Sequence, residues 1–359
     1  MDFTLDEQQQ AVYDLTARIL DDKLDMERLR AVEAADEWFD RDIHAELAKA
    51  GLVGVALAED VGGGGQDLVA WGQVLRAQGN HVAPVPLLPT TLAAITIDKH
   101  GDAEQRRELL PGVVEGTRIL TVAAQEPFEE NVRSPRARVT DGHLSGTKIV
   151  VEYADHAHQM IVIAEDHEGA AGLYLVDGDA DGITRRRSIS TRLEPLHQVD
   201  FAATPVQPLG GPDAVDWMVD RHLIGLCATQ VGVSETALQM TAEYTSEREQ
   251  FGRPIATFQA VTQRLADQYI NVNGIRLTCS AALWRLANGV DDRDAILVAK
   301  WWASERAQDV VHATQHCHGG MGVSIDYPLF RYSLWSKHLT VSLGAGTQQL
   351  RNLGARLAG

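Results

Sequence analysis

One break most constrains this chain. It is the stretch Arg248-Glu249-Gln250-Phe251-Gly252-Arg253-Pro254-Ile255, continuing to Phe258 and Gln259. Before it, Ala228 to Tyr244 is apolar and rich in small residues, which suits a helix. After it, Phe258, Val261, Leu265, Tyr269, Val272, Ile275, Cys279, Ala282 and Leu286 recur at three- and four-residue steps. That spacing is one face of a helix of roughly 30 residues. Gly252 and Pro254 interrupt the pattern between the two helices. A short turn held between packed helices can present a cation, an amide and an aromatic ring to a ligand. It can equally be an ordinary helix connection with an exposed arginine, and the turn alone leaves both readings open.

The rest of the chain divides into three parts. Residues 1–118 are expected to be all helical. Thr4 with Glu7 suggests a capping box, followed by the stripe Ala11, Val12, Leu15, Ile19 and Leu20. Ile43, Leu47 and Ala50 mark a later helix stopped by Gly51, and Leu68–Leu75 and Leu87–Ile97 read as two more. The run Gly62-Gly63-Gly64-Gly65 lacks the Lys-Ser/Thr of a phosphate loop and is expected to be a flexible surface turn. Residues 119–210, expected to form a β-barrel-like domain, carry strand signals at Ile149–Val151, Met160–Ala164, Gly172–Val176 and Val199–Phe201, with Asp141-Gly142 and Asp177-Gly178 as hairpin turns. Residues 211–359 are helical, with stops at Gly252, Asn288-Gly289 and Gly319-Gly320, so an antiparallel four-helix bundle is expected.

Composition narrows the partners. The net charge of −18 argues against nucleic acid and against an anionic membrane surface. An acidic chain can still hold an anionic cofactor through a local basic site. Cys227, Cys279 and Cys317 are odd in number and sit in helical contexts, which fits free thiols in a reducing cytoplasm. No apolar run approaches a membrane span, and the first residues do not resemble a signal peptide.

The central string reads R-x-x-F-G-x-P-I-x-x-F-Q, and in this form it resembles the signature of acyl-CoA dehydrogenases, FAD enzymes that desaturate acyl thioesters. Leu47–Gly54 with Glu59 and Gly62–Gly65 is similar to that family's N-terminal domain. Asp141–Lys148 is similar to its middle domain, and Gly319-Gly320-Met321-Gly322 and Gly344-Ala345-Gly346-Thr347 to its C-terminal motifs. The resemblance implies a multidomain α+β fold: N-terminal helical domain, middle β domain, C-terminal four-helix bundle.

Desaturation needs a carboxylate to take the α proton and a flavin to accept the hydride. The two positions where the family places its base hold Ala345 and His222 here, with Leu223 where an Arg is usual. Asp220 lies about 200° away around the helix and is expected to be a solvated helix-end residue. No catalytic residue is therefore assigned to this chain. On the ring side of FAD, the resemblance points to Gln125-Glu126-Pro127-Phe128-Glu129-Glu130, and to Val150, Val151 and Glu152 where a Trp-Ile-Thr element usually packs. Glu129, Glu130 and Glu152 would each disfavour an anionic reduced ring.

In the family, a neighbouring subunit holds the diphosphate and adenosine. The matching positions are Arg248, Gln250, Phe251, Ile255, Phe258, Gln259, His316 (where Gln is common), Gly319, Gly320, Thr347 and Gln349. An arginine gives charge-assisted hydrogen bonds to phosphate, and paired glycines let backbone amides approach it. His316-Cys317-His318 are consecutive and cannot all face one ion, so no metal is expected.

The resemblance thus implies a chain without its own base or ring site that completes the FAD site of a homologous catalytic subunit in an α2β2 heterotetramer. Such paired enzymes act in actinobacterial steroid side-chain degradation, on a bulky acyl-CoA, and pass electrons to an acceptor protein. Three alternatives stay open: a self-sufficient homotetramer with a displaced base, a flavin-free acyl-CoA-binding homologue, and a flavin monooxygenase or oxidase of the same fold.

Overall fold

A computed structural model describes residues 3–290 and 292–358. The chain opens with helices α1 (Glu7–Lys23), α2 (Met26–Ala34), α3 (Arg41–Lys49), α4 (Leu68–His81), α5 (Leu87–His100) and α6 (Ala103–Val114). The α1 cap differs from expectation. Asp6 is the N-cap: its carboxylate accepts from the Gln9 amide at 2.8 Å, and the Gln9 side chain accepts from the Asp6 amide at 3.1 Å. The same three-residue spacing occurs at Thr4–Glu7 and at Asp6–Gln9, and the second pair frames the helix. The glycine run is also better ordered than expected. Each amide from Gly63 to Gln66 donates to a carbonyl in the 54–58 segment. A Cβ on Gly63 would lie 2.2 Å from the Leu57 carbonyl oxygen, so glycine is required there by close backbone approach.

Strands β1 (Leu120–Ala123), β2 (Arg138–Thr140), β3 (His143–Glu152), β4 (Gln159–Glu165), β5 (Ala171–Asp177), β6 (Ile183–Ile189), β7 (Pro195–Pro205) and β8 (Gln207–Gly210) form one mixed sheet. Its order is β6-β7-β3-β2-β4-β5-β8, with β1 parallel to β4. Asp141 and Gly142, at φ 50° and 75°, close the β2–β3 hairpin as a primed turn, as their sequence predicts. Asp177-Gly178 ends β5 but closes no hairpin, because β5 pairs with β4 and β8 while β6 pairs with β7. The core of the sheet is built from Leu144, Val151, Met160, Val162, Val176, Val199 and Phe201.

Helices then resume: α7 (Pro212–Glu247), a small hairpin of β9 (Glu249–Gln250) and β10 (Arg253–Pro254), α8 (Gln259–Ala287), α9 (Arg293–Trp301), α10 (Ala307–His318), α11 (Leu329–Val341) and α12 (Gly346–Ala358). A π-helical turn, Trp302–Arg306, joins α9 to α10. Among the described residues no helix is long and apolar enough to cross a membrane.

The chain forms two compact units. One comprises residues 27–67 and 84–222; the other comprises 1–26, 68–83 and 223–359. Within the second, α4 and α7 cross at backbone distance: a Cβ on Gly79 would lie 2.0 Å from the Thr229 carbonyl oxygen. A bidentate pair between Arg76 and Glu235, at 2.8 and 3.0 Å, fixes the same crossing.

Lys300 is a fully buried cation of this unit. Its Nζ donates to the Leu339 and Thr340 carbonyls at 2.7 and 3.1 Å and to Ser304 Oγ at 3.1 Å. It thereby satisfies acceptors at the C-terminal turn of α11. Burial lowers its pKa from 10.5 to about 8. A depressed folded pKa gives a stability contribution that is present above the unfolded value and lost as pH falls through the folded one. Between pH 10.5 and 8, stability should therefore fall by about 3 kcal/mol from this group. Denaturation across that range, compared with Lys300→Met, reads the effect; parallel curves for the two proteins would refute it.

Candidate functional site

The hairpin between α7 and α8 is built on a strained turn. The Arg248 amide donates to the Tyr244 carbonyl at 2.8 Å, ending α7, and the Ile255 amide donates to the Arg248 carbonyl at 2.8 Å, closing the loop. Gln250 pairs with Arg253 across the ladder. Phe251 and Gly252 take φ 56° and 75°, the left-handed pair of a primed two-residue turn. Asn usually fills the first of these positions; here it is a phenylalanine with 93% of its surface exposed. Its ring meets Phe258 edge-on at 6.0 Å, and the Arg253 guanidinium lies 4.2 Å over the Phe258 ring.

Arg248 is exposed and, among the described residues, has no carboxylate partner. Gln250 is exposed, its amide nitrogen donating to the Glu249 carbonyl at 2.7 Å. Ile255 is half-buried and opens a 3-10 turn; Gln259 is exposed at the start of α8.

The Gly-Gly motif ends α10 at the same end of the bundle. Tyr244, one turn before Arg248, stacks on His318 at 4.3 Å, and His318 Nε2 lies 3.1 Å from the Tyr327 hydroxyl. Burial lowers the His318 pKa, which favours the neutral ring in that stack. Gly319 adopts φ 59°, ψ −135°, a conformation open essentially to glycine alone. A Cβ on either Gly319 or Gly320 would meet nothing within 4 Å, so both face open space.

His316 is exposed and lines a groove of about 860 Å³ between α8 and α10, together with Arg264, His312, Arg306 and Asp309. Thr347 is exposed in an adjoining hollow of about 300 Å³, which shares the Arg306–Asp309 pair. Gln349 differs from the rest: it is buried, and its amide nitrogen donates to the Leu343 and Gly344 carbonyls, both at 3.0 Å. It shapes the turn that presents Thr347 rather than facing solvent. Arg264 and His312 went unnoticed in the sequence; the available signal was that His312 precedes His316 by one helical turn. Gln349 apart, these side chains are exposed or half-buried, Arg248 and Arg264 are basic, and the two glycines are open, a donor chemistry suited to phosphate oxygens.

The positions expected to meet a flavin ring are arranged differently. Glu126 is buried and fully engaged: it accepts from the Arg136 and Ala137 amides at 2.7 and 3.0 Å and from Lys148 Nζ at 2.6 Å. Glu129 accepts from the Asn131 amide at 3.1 Å and pairs with Arg136 at 3.3 Å, which holds its carboxyl below the usual range. A β-bulge between Lys148 and Val151, with Val150 at φ 56°, breaks the alternation of β3, and Val151, Glu152 and Tyr153 are all buried. Glu152 Oε1 accepts from the Arg192 guanidinium at 2.6 Å, and Arg192 also contacts buried Glu194. The expected free negative charge of Glu152 is thus neutralised internally. No aromatic side chain stands at 150–152. These residues do not fit a flavin ring.

Asp220 also departs from expectation. It is buried within α7, not solvated at a helix end, and accepts from Arg133 at 2.5 Å. His222 is half-buried, Leu223 is buried, and Ala345 is half-buried beside Gly344.

Comparison with known proteins follows the same lines. The family model described as acyl-CoA dehydrogenase, N-terminal domain, matches residues 6–117, and that described as acyl-CoA dehydrogenase, C-terminal domain, matches residues 210–358. The chain is 36% identical to acyl-CoA dehydrogenase FadE27 of Mycobacterium tuberculosis over 373 aligned positions, covering 100% of this chain and 99% of that protein. Among solved structures it is similar to a variant of the Tcur3481–Tcur3483 steroid ACAD, at 45% identity and TM-score 0.95 over 99% of both chains. It is similar also to the ChsE4–ChsE5 complex of Mycobacterium tuberculosis, at 37% identity and TM-score 0.94, covering 100% of this chain and 99% of that one.

Proposed function

Because the chain belongs to the acyl-CoA dehydrogenase family, oxidoreductases acting on CH–CH groups that generally bind FAD, we propose that it is the cofactor-completing subunit of a heteromeric enzyme. That enzyme desaturates a bulky acyl-CoA, such as a steroid side-chain thioester, between its α and β carbons. Bound FAD supplies the hydride acceptor. In this chain Arg248, Gly319 and Gly320 would hold the diphosphate, Phe251, Phe258 and Ile255 would wall the nucleoside, and Gln250, Gln259, His316 and Thr347 would add polar contacts. The α-proton base would come from the catalytic partner, since Ala345 and His222 stand where the family places it. Reducing equivalents would pass to an electron-transfer acceptor.

One observation carries this reading. The two halves of a flavin site have opposite fates in the chain: the Arg248 side chain is exposed with no carboxylate partner among the described residues and Phe251 is exposed, whereas Glu126 and Glu152 are buried and neutralised. The similarity to complexes of two different chains supports the heteromeric setting, and the description of one of them as a steroid ACAD supports a bulky substrate.

Flavin absorbance against protein concentration tests the proposal. A tetramer with two copies of this chain should carry two FAD; four would overturn it. In the same complex, Arg248→Ala should weaken FAD binding about 30-fold, close to 2 kcal/mol for a charge-assisted hydrogen bond. Unchanged flavin content in that variant would reduce Arg248 to a helix-end cation.

A further inference from the structure

A second cavity lies within the helical unit, apart from the hairpin and the Gly-Gly turn. It is an open cavity of about 640 Å³ between α1 with the stretch leading into it and helices α4, α7 and α8. No residue of the hairpin, of Gly319-Gly320 or of the Thr347 segment lines it. Its volume lies within the range of roughly 300–1,000 Å³ usual for small-molecule sites.

The chemistry of its lining is lopsided. The inner wall is apolar and buried, with Ala228 and Val231 of α7 and Cys279 and Leu283 of α8. Burial raises the Cys279 thiol pKa well above its ordinary value, so this wall carries no charge. Two arginines line the cavity, Arg76 half-buried and Arg276 exposed, and they are not equivalent. Arg76 is spent: Glu235 holds it in a bidentate pair, and its guanidinium lies 4.7 Å over the Tyr13 ring. Arg276 is exposed and donates only to the Asn273 side chain, at 2.7 Å; among the described residues it has no carboxylate partner.

We propose that this cavity binds an amphipathic monocarboxylate, its apolar body against Val231 and Leu283 and its carboxylate on Arg276. An unpaired guanidinium beside a desolvated apolar wall selects one planar anionic group attached to an apolar chain. A single unpaired cation does not suit a polyphosphate, which would bring several negative charges to a chain already at −18.

The probe is sodium dodecanoate, titrated below its micellar concentration into the full-length chain in its native assembly and followed by calorimetry. The expected result is saturable binding with one site per copy. It should weaken at least 10-fold for Arg276→Ala or when uncharged dodecanol replaces dodecanoate, and be lost in Ser280→Trp, which fills the cavity. Absence of saturable binding overturns the proposal, as does equal affinity for dodecanol. Binding by the free chain that disappears in the assembly would assign the cavity to a partner's surface and overturn it equally. Arg276 is exposed, so its variant folds; the Arg276 and dodecanol comparisons decide the matter even if Ser280→Trp does not fold.

Discussion

Lys148→Met is expected to cost about 3–5 kcal/mol of stability, the range for breaking a buried ion pair by removing one partner. Lys148 is fully buried, and its Nζ lies 2.6 Å from Glu126. Burial alone lowers its pKa, and Glu126 offsets part of that shift. Without the ammonium, Glu126 keeps its two backbone donors but holds an uncompensated charge in the interior. The double variant Glu126→Gln/Lys148→Met should recover most of the loss, because a glutamine oxygen still accepts from the Arg136 and Ala137 amides without needing a counter-ion. Urea denaturation reads both effects. A single-variant loss under about 1 kcal/mol would show that the pair contributes little.

Arg192→Met is expected to cost a similar 3–5 kcal/mol at pH 8, and the loss should shrink as pH falls. One guanidinium here serves two buried carboxylates, Glu152 and Glu194. Burial already raises Glu194 from 4.5 to about 7 with the arginine in place. A folded pKa above the unfolded one gives a contribution that is fully present below pH 4.5 and lost as pH rises through about 7. Removing Arg192 strips the attraction that opposes this shift, so the variant should be closest to the parent near pH 5 and furthest from it at pH 8. A stability difference that does not change with pH would sink this account of the triad.

Both clusters show where sequence reasoning stopped. Glu126 was legible as part of a motif, and Lys148 as part of another, but nothing local joins positions 22 residues apart into one ion pair. Glu152 was read as a charge facing a ligand; the cation that neutralises it lies 40 residues further on. Strand β6, Ile183–Ile189, went unread because it is polar, with Arg185, Arg186 and Arg187 in its middle. It is an edge strand held by pairing with β7, and edges tolerate such residues. What could be read was local or periodic. The α8 stripe, the Asp141-Gly142 turn and the exposed Arg248 each depend on a spacing of a few residues, where geometry is set by the chain itself.

Phe251 carries a consequence for how such a chain evolves. A non-glycine residue in the left-handed region costs roughly 1 kcal/mol or more, and this one leaves 93% of its surface exposed. Judged by the lone chain's stability, glycine would be the better residue at that position. Selection acting on the monomer alone would therefore remove the phenylalanine. Its presence accords with the proposed role of the ring in walling a nucleoside held across an interface. If the hairpin meets a partner's cofactor as proposed, stabilising this protein by optimising the isolated chain would target the wrong quantity there.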